Sequence, residues 1–240
     1  MKTGSRSPSF EKFTIRKKET MRLRIQLTVL IAIVFLVQGC GSTESVYSEN
    51  FQSDPGFQLA FDPLPGESYQ WSGDYGGSYS MRMKEYPTTY RFSFTPDFQL
   101  IENESFHIGV DYLPVDDNGE WGMGLGLLAL DGANWENQSV AIYYNGTHQR
   151  FHFHDGSGAS ITTGTLQYGV WYSLSIDYNA QMRTADFRVT ERDTGNEFFT
   201  EQDVDFNPGP FDRFCLGSKS VNSDGNWISL YCDNILLELK

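Results

Sequence analysis

Apolar and polar side chains alternate with a period of two along much of the chain after residue 105, the pattern of strands buried on one face. Trp171 to Tyr178 places Tyr172, Leu174, Ile176 and Tyr178 on one side and Trp171, Ser173, Ser175 and Asp177 on the other. Thr184 to Thr190 repeats it, with Ala185, Phe187 and Val189 opposed to Asp186, Arg188 and Thr190. The short polar link Asn179 to Arg183 predicts that these two strands pair. Phe106 to Tyr112 sends Phe106, Ile108, Val110 and Tyr112 inward and His107 and Asp111 outward. Gly122 to Leu130 is nearly all apolar but spaced by glycines, as a central strand with a close neighbour would be. Val140, Ile142 and Tyr144 lead through the turn Asn145-Gly146 into Gln149 to His154, which predicts a hairpin.

Shorter segments of the same kind extend the pattern in both directions. Glu49 to Gln52, Ser78 to Lys84, Tyr90 to Phe94, a stretch near Ile161, Glu197 to Phe206, Phe214 to Gly217 and Trp227 to Leu239 read as strands, separated by Gly, Pro, Asn and Asp turns. No segment after Tyr47 carries a helical period. The chain is therefore expected to be all-β, and 240 residues suit one such domain.

The amino terminus stands apart from this pattern. Ile25 to Val37 is an apolar run behind the basic Met21-Arg22-Leu23-Arg24, and it ends in Val37-Gln38-Gly39-Cys40. It is shorter than the ~20 apolar residues of a spanning helix, so it reads as a secretion signal. The Val37, Gly39 and Cys40 pattern resembles the lipobox of bacterial lipoproteins. That resemblance implies that residues 1–39 are removed, that Cys40 becomes the lipidated first residue holding the protein to a bilayer in the cell envelope, and that 40–48 form a tether before a domain at 49–240. Met1 to Thr20 exceeds what such a signal needs, which makes Met21 an alternative start.

Charge divides at the same place. The whole chain has 18 Lys and Arg against 31 Asp and Glu, net −13, but residues 1–39 hold eight of the basic and two of the acidic ones. The chain from Cys40 onward therefore carries 10 basic and 29 acidic residues, net −19. Nucleic acid is excluded as a partner by the lack of basic residues to meet phosphates, and an acidic surface suits an exported protein that meets divalent cations. Past Cys40 the cysteines are Cys215 and Cys232. An oxidising compartment permits a disulfide between them, and two buried free thiols fit the sequence equally.

Glu49-Asn50-Phe51, Gly169-Val170-Trp171-Tyr172, Thr194-Gly195 and Asp233-Asn234-Ile235, in that order, resemble the concanavalin A-like and laminin G-like jelly rolls. The resemblance implies an antiparallel two-sheet sandwich whose first and last strands lie together. It also implies a structural Ca²⁺ near that junction. Asp233 shares a face with Tyr231, Ile235, Leu237 and Leu239, so its carboxylate must be paired or bind a cation, and Glu49 is the expected neighbour. No organic cofactor is expected.

Three further sets of residues carry candidate chemistry. Glu201, Asp203 and Asp205 alternate, which predicts three carboxylates on one face of a strand. They partly resemble the Glu-x-Asp-x-Glu signature of β-glucanases with this fold, and the bland reading is an acidic edge strand. His152 and His154 point one way while Phe151 and Phe153 point the other, so they could hold zinc with His148 or Asp155 or move a proton. Of the aromatics, Trp71, Trp121, Trp135 and Trp227 lie beside turns and Tyr143 lies on the polar face of its strand, where sugar rings could stack. Tyr75, Tyr79 and Trp171 join that set, with core packing as the competing use. The resulting expectation is a lipid-anchored extracytoplasmic protein that binds a polysaccharide or glycan, with a polysaccharide-active enzyme and a structural or adhesive domain as the alternatives.

Overall fold

The computed structural model describes residues 43–60, 62–84, 89–115, 122–128, 138–155, 160–220 and 226–240, and the folded body runs from Thr43 to Lys240. Its strands are β1 (Glu44–Glu49), β2 (Gln58–Leu59), β3 (Ser68–Ser72), β4 (Ser78–Lys84), β5 (Thr89–Phe94), β6 (Phe106–Val115), β7 (Gly122–Leu128) and β8 (Val140–Asn145). They continue with β9 (Arg150–Asp155), β10 (Ser160–Thr162), β11 (Tyr172–Asn179), β12 (Thr184–Glu191), β13 (Glu197–Asp205), β14 (Arg213–Ser220) and β15 (Trp227–Leu239). Among the described residues no helix is long and apolar enough to cross a membrane.

Two antiparallel sheets form. The first runs β13-β12-β11-β6-β15-β4-β3, and the second runs β10-β9-β8-β7-β14-β5-β2. The thirteen residues of β15 organise the first sheet. One edge of β15 pairs with β6, while the other pairs with β4 along Trp227 to Cys232 and with β1 along Ile235 to Leu239. First and last strands therefore meet, as the jelly-roll resemblance implies. Strand β1 begins at Glu44, within the stretch expected to be a tether, and the residues beyond Glu49 leave the strand at Phe51, whose φ is +51° and whose ring is buried.

The facing sides of the sheets are the alternating residues read from the sequence. Tyr172, Leu174, Ile176, Tyr178, Ala185, Phe187 and Val189 are all buried, and opposite them lie Leu125, Ile142, Tyr144, Phe151 and Phe153. Each fully buried large apolar side chain contributes on the order of 1.5–3 kcal/mol relative to exposure. The same alternation turns polar residues such as Ser173, Ser175, Asp177, His152 and His154 to the outer faces, and these are the surfaces open to ligands.

One core residue crosses between the sheets. The Tyr112 hydroxyl, fully buried, reaches into the β7–β8 ladder, where it accepts from Leu125 N–H at 2.6 Å and donates to the Ile142 carbonyl at 2.9 Å. Leu125 and Ile142 are register partners, so the phenol sits where a direct backbone bond would close. Gly124 makes room for it. A Cβ there would lie 2.3 Å from the Ile142 carbonyl oxygen and 3.1 Å from the phenol oxygen.

The topology selects between the two alternatives for the cysteines and corrects the expectation for the carboxylates. Cys215 and Cys232 are both free and buried. They belong to different sheets, and alternation along β14 turns Phe214 and Leu216 to the core while Cys215 faces the other way, alongside Gly126 and Phe94. Burial pushes the Cys215 thiol up to about 12 and the Cys232 thiol well above its ordinary value. Glu201, Asp203 and Asp205 do not share a face. A bulge between the Ala185 and Phe187 pairings sets Glu201 opposite inward Phe187 and Asp205 opposite Thr184. At the bulge Asp203 takes φ +54° and its N–H donates to the Asp186 carboxylate at 2.9 Å. All three are exposed on β13, whose charges and bulge discourage pairing at the sheet's edge.

Candidate functional site

The outer face of the second sheet brings three of the expected residues together. Tyr143 on β8 is the register partner of His152 on β9, and His154 is paired with Ala141, whose small side chain leaves space beside the phenol. The Tyr143 ring lies 5.1 Å from His152 at 8° and 5.2 Å from His154 at 24°. Its hydroxyl is 2.9 Å from His154 Nε2. His152 Nδ1 meets Thr162 Oγ1 on β10 at 3.0 Å. A glycine track on β7 forms the adjoining floor. A Cβ at Gly122 would stand 2.8 Å from the Tyr143 ring, and one at Gly126 would stand 2.2 Å from the amide oxygen of Gln138. The glycine spacing in the sequence thus serves side chains lying across the sheet as much as a neighbouring backbone.

The electrostatics make this face neutral. Burial holds His152 down at about 4, reinforced by His154, His148 and Arg150, and burial also lowers His154 against the opposing pull of Asp155. A neutral imidazole offers one donor and one acceptor, the pairing that a sugar hydroxyl reciprocates. Hydrogen-bonding capacity remains. His152 Nε2 and both polar atoms of the Gln138 amide are buried without a partner among the described residues, and such orphan groups cost roughly 1–3 kcal/mol each. Three flat rings on one sheet face can stack a pyranose, and the unbonded amide of Gln138 and Nε2 of His152 lie just beneath them, where a small side-chain shift would bring them to its hydroxyls.

The remaining candidates are placed elsewhere. His148 is exposed on the β8–β9 turn, and Asp155 points into the core, where its carboxylate accepts from Asn207 N–H at 2.9 Å. Neither joins His152 and His154 as a zinc ligand. Trp71 donates its indole N–H to the Phe51 carbonyl at 2.7 Å, and the Trp227 ring is held between the Arg82 guanidinium, 4.3 Å from its centroid, and Gly66. Tyr79 is core. Trp121, Trp135 and Cys40 lie outside the described residues.

On the outer face of the first sheet, the cation that Asp233 meets is Arg192. Arg192 Nη1 is 3.3 Å from Asp233 and 3.6 Å from Asp111, the register partner of Asp233. The guanidinium lies 4.0 Å over the Trp171 ring. Tyr75 packs edge-on against Trp171 and Tyr231. Burial raises Asp233 above the usual carboxylate range, in spite of the Asn234 N–H and Arg192. Glu49 is turned to its own chain and accepts from Phe51 N–H at 2.7 Å. Among the described residues no three His, Cys, Asp or Glu side chains gather as a ligand set. Sequence reading misses Arg192, whose position in the turn after β12 gives no periodic signal, and it passes over Thr162 and Gln138 because short polar residues beside turns are ordinary.

No family model matches the chain, and no curated protein matches it in sequence. Solved structures match in shape. Arcelin-5, a lectin-like defence protein of Phaseolus vulgaris, is 11% identical over 83% of this chain and 99% of its own, with a TM-score of 0.52. Peanut lectin with a nonamer peptide is 14% identical over 83% and 99%, also at 0.52. Winged bean acidic lectin complexed with methyl-α-D-galactose is 11% identical over 83% and 100%, at 0.50. At these identities the likeness speaks for architecture, and with the two-sheet topology above it establishes that the chain has the concanavalin A-like jelly-roll fold of the legume lectins.

Proposed function

We propose that this is a glycan-binding protein held at the outside of a bacterial cytoplasmic or outer membrane by a lipid on Cys40, with the Tyr143, His152 and His154 face as its sugar platform. The observation that carries the binding reading is the neutral three-ring assembly on an outer sheet face with buried polar atoms still unbonded beside it. The company of lectins in fold supports it, and one of those neighbours was solved with a galactoside. A glycan and polysaccharide array probed with the full chain in detergent tests it. Binding to one glycan class is expected, and Tyr143→Ala should weaken it up to about tenfold, the ~0.5–1.5 kcal/mol that an aromatic stacking contact supplies. An array left blank by protein that still melts cooperatively would sink the reading.

The anchor rests on Val37, Gly39 and Cys40 behind the apolar run. Cells fed an alkynyl fatty acid should label the protein, and Cys40→Ser should abolish the label and release the protein from the membrane fraction. Label that survives the substitution would remove the anchor from Cys40.

A further inference from the structure

The outer face of the first sheet carries a second groove, of about 210 Å³, that the platform does not use. Gly109 on β6 is its floor, flanked by its register partners Ser175 on β11 and Leu236 on β15. His107, two residues away on the same face, is held from behind. Its Nδ1 is 2.9 Å from Asp177 Oδ1, and Lys240 also bonds that carboxylate. The His107 bond, together with Lys240, holds Asp177 at about 2 against desolvation, so this carboxylate is ionised and only accepts. Nδ1 therefore carries the proton of this bond, and Nε2 points over the floor, 3.6 Å from where a Gly109 Cβ would stand.

The walls are hydroxyls, one cation, and at one end Asp111, whose carboxylate is taken up by Arg192 and by Asn234 Nδ2. Ser173, Ser175 and Thr190 line the groove, and none has a side-chain partner among the described residues. Arg188 lies between them on β12, exposed and unpaired among the described residues, because Asp186, its neighbour on the same face, is turned to Asp203 N–H. Two other cations of this face are committed, Arg192 to Asp111 and Asp233 and Lys240 to Asp177. An uncommitted guanidinium in an otherwise acidic protein matches a carboxylate in two parallel hydrogen bonds. The three hydroxyls and the imidazole edge match the hydroxyls of a sugar ring.

We infer that the groove over Gly109 is a second saccharide site and that it takes a carboxylate-bearing sugar, a uronic acid unit of a polymer, with Arg188 on the carboxylate and His107, Ser173, Ser175 and Thr190 on the hydroxyls. This rests on the glycan-binding reading and gives it a separate address and a ligand class.

Calorimetric titration of the full chain in detergent tests it with oligomers of galacturonate, alginate and hyaluronan, each beside its carboxyl-reduced counterpart. One acidic oligomer is expected to bind at least about tenfold more tightly than its reduced form, a difference of about 1.4 kcal/mol. Arg188→Ala should remove that preference. Gly109→Ala should weaken binding while the fold stays intact, since its methyl would make ordinary contacts at 3.6 and 3.7 Å and raise the floor. Tyr143→Ala should leave the preference for the acidic over the carboxyl-reduced oligomer in place. Acidic binding that survives Arg188→Ala and is lost in Tyr143→Ala would overturn the second site while leaving the platform standing. Silence with all three acidic oligomers would overturn it too, whatever the neutral glycan array shows.

Discussion

Tyr112→Phe is expected to lower the free energy of unfolding by roughly 2–6 kcal/mol, because removing one oxygen orphans two backbone groups at about 1–3 kcal/mol each. Leu125 N–H and the Ile142 carbonyl both depend on the phenol, at 2.6 and 2.9 Å, and the ring is fully buried, so water has no route to replace it. Direct closure of the ladder is blocked as well. The ring that remains in the phenylalanine variant still wedges β7 from β8. Tyr79 supplies the comparison, since its hydroxyl donates to Ser93 Oγ at 2.7 Å and the serine hydroxyl has the Leu216 carbonyl in reach at 3.5 Å. Tyr79→Phe should therefore cost only about 1 kcal/mol. Urea unfolding of the two variants at equal slope measures the difference. Equal losses would mean that the strands relax to bond each other once the phenol is gone.

The period of two is enough to read most of the sandwich. It places Tyr172, Leu174, Ile176 and Tyr178 in the core and predicts the β8–β9 hairpin and the β11–β12 pair, because burial on one face writes itself into every second residue. It also brings His152 and His154 to one side, and Tyr143 follows from the same alternation. Departures from that period are what the sequence hides. The bulge at Asp203 shifts Glu201 against Asp205, and a positive φ in a polar residue leaves no mark in the sequence. Strand β1 starts earlier than its pattern suggests, because Glu44 to Ser48 is largely exposed and shows little alternation. Partnerships across strands are likewise hidden. His107 and Asp177 are 70 residues apart and meet only through the β6–β11 register, so the sequence shows two ordinary outward polar residues. The apolar face expected for Asp233 is lost to another irregularity, because Asn234 takes φ +50° and the β6–β15 register shifts between Asp233 and Leu236, so Asp233 points outward with Tyr231 while Ile235 and Leu237 enter the core, and the arginine it meets comes from a turn 41 residues earlier.

That arginine carries the second large effect. Arg192→Ala is expected to destabilise the protein by about 3 kcal/mol at pH 7, the scale for removing one partner of a buried ion pair. Asp111 and Asp233 have side chains only 10% and 13% exposed and stand opposite each other in the β6–β15 register, so the variant leaves two carboxylates with only the donors of Asn234 between them, Nδ2 at 2.7 Å from Asp111 and the backbone N–H at 2.8 Å from Asp233. Arg192→Lys should fall between the two proteins. A lysine keeps the charge but gives up the flat contact with Trp171 and the simultaneous reach to both acids. The pH dependence separates charge from packing. Burial already raises Asp233 above its unfolded value of ~3.9, and losing Arg192 raises it further. A carboxyl whose folded value lies above its unfolded one takes up its proton first in the folded state, so folding gains as pH falls through the folded value towards the unfolded one. The deficit of Arg192→Ala should therefore shrink between neutral pH and pH ~4, and Asp233→Asn added to Arg192→Ala should recover part of it at pH 7. A deficit that stays the same at both pH values and ignores Asp233→Asn would assign the loss to the guanidinium's packing on Trp171, with the two carboxylates solvated well enough to need no cation.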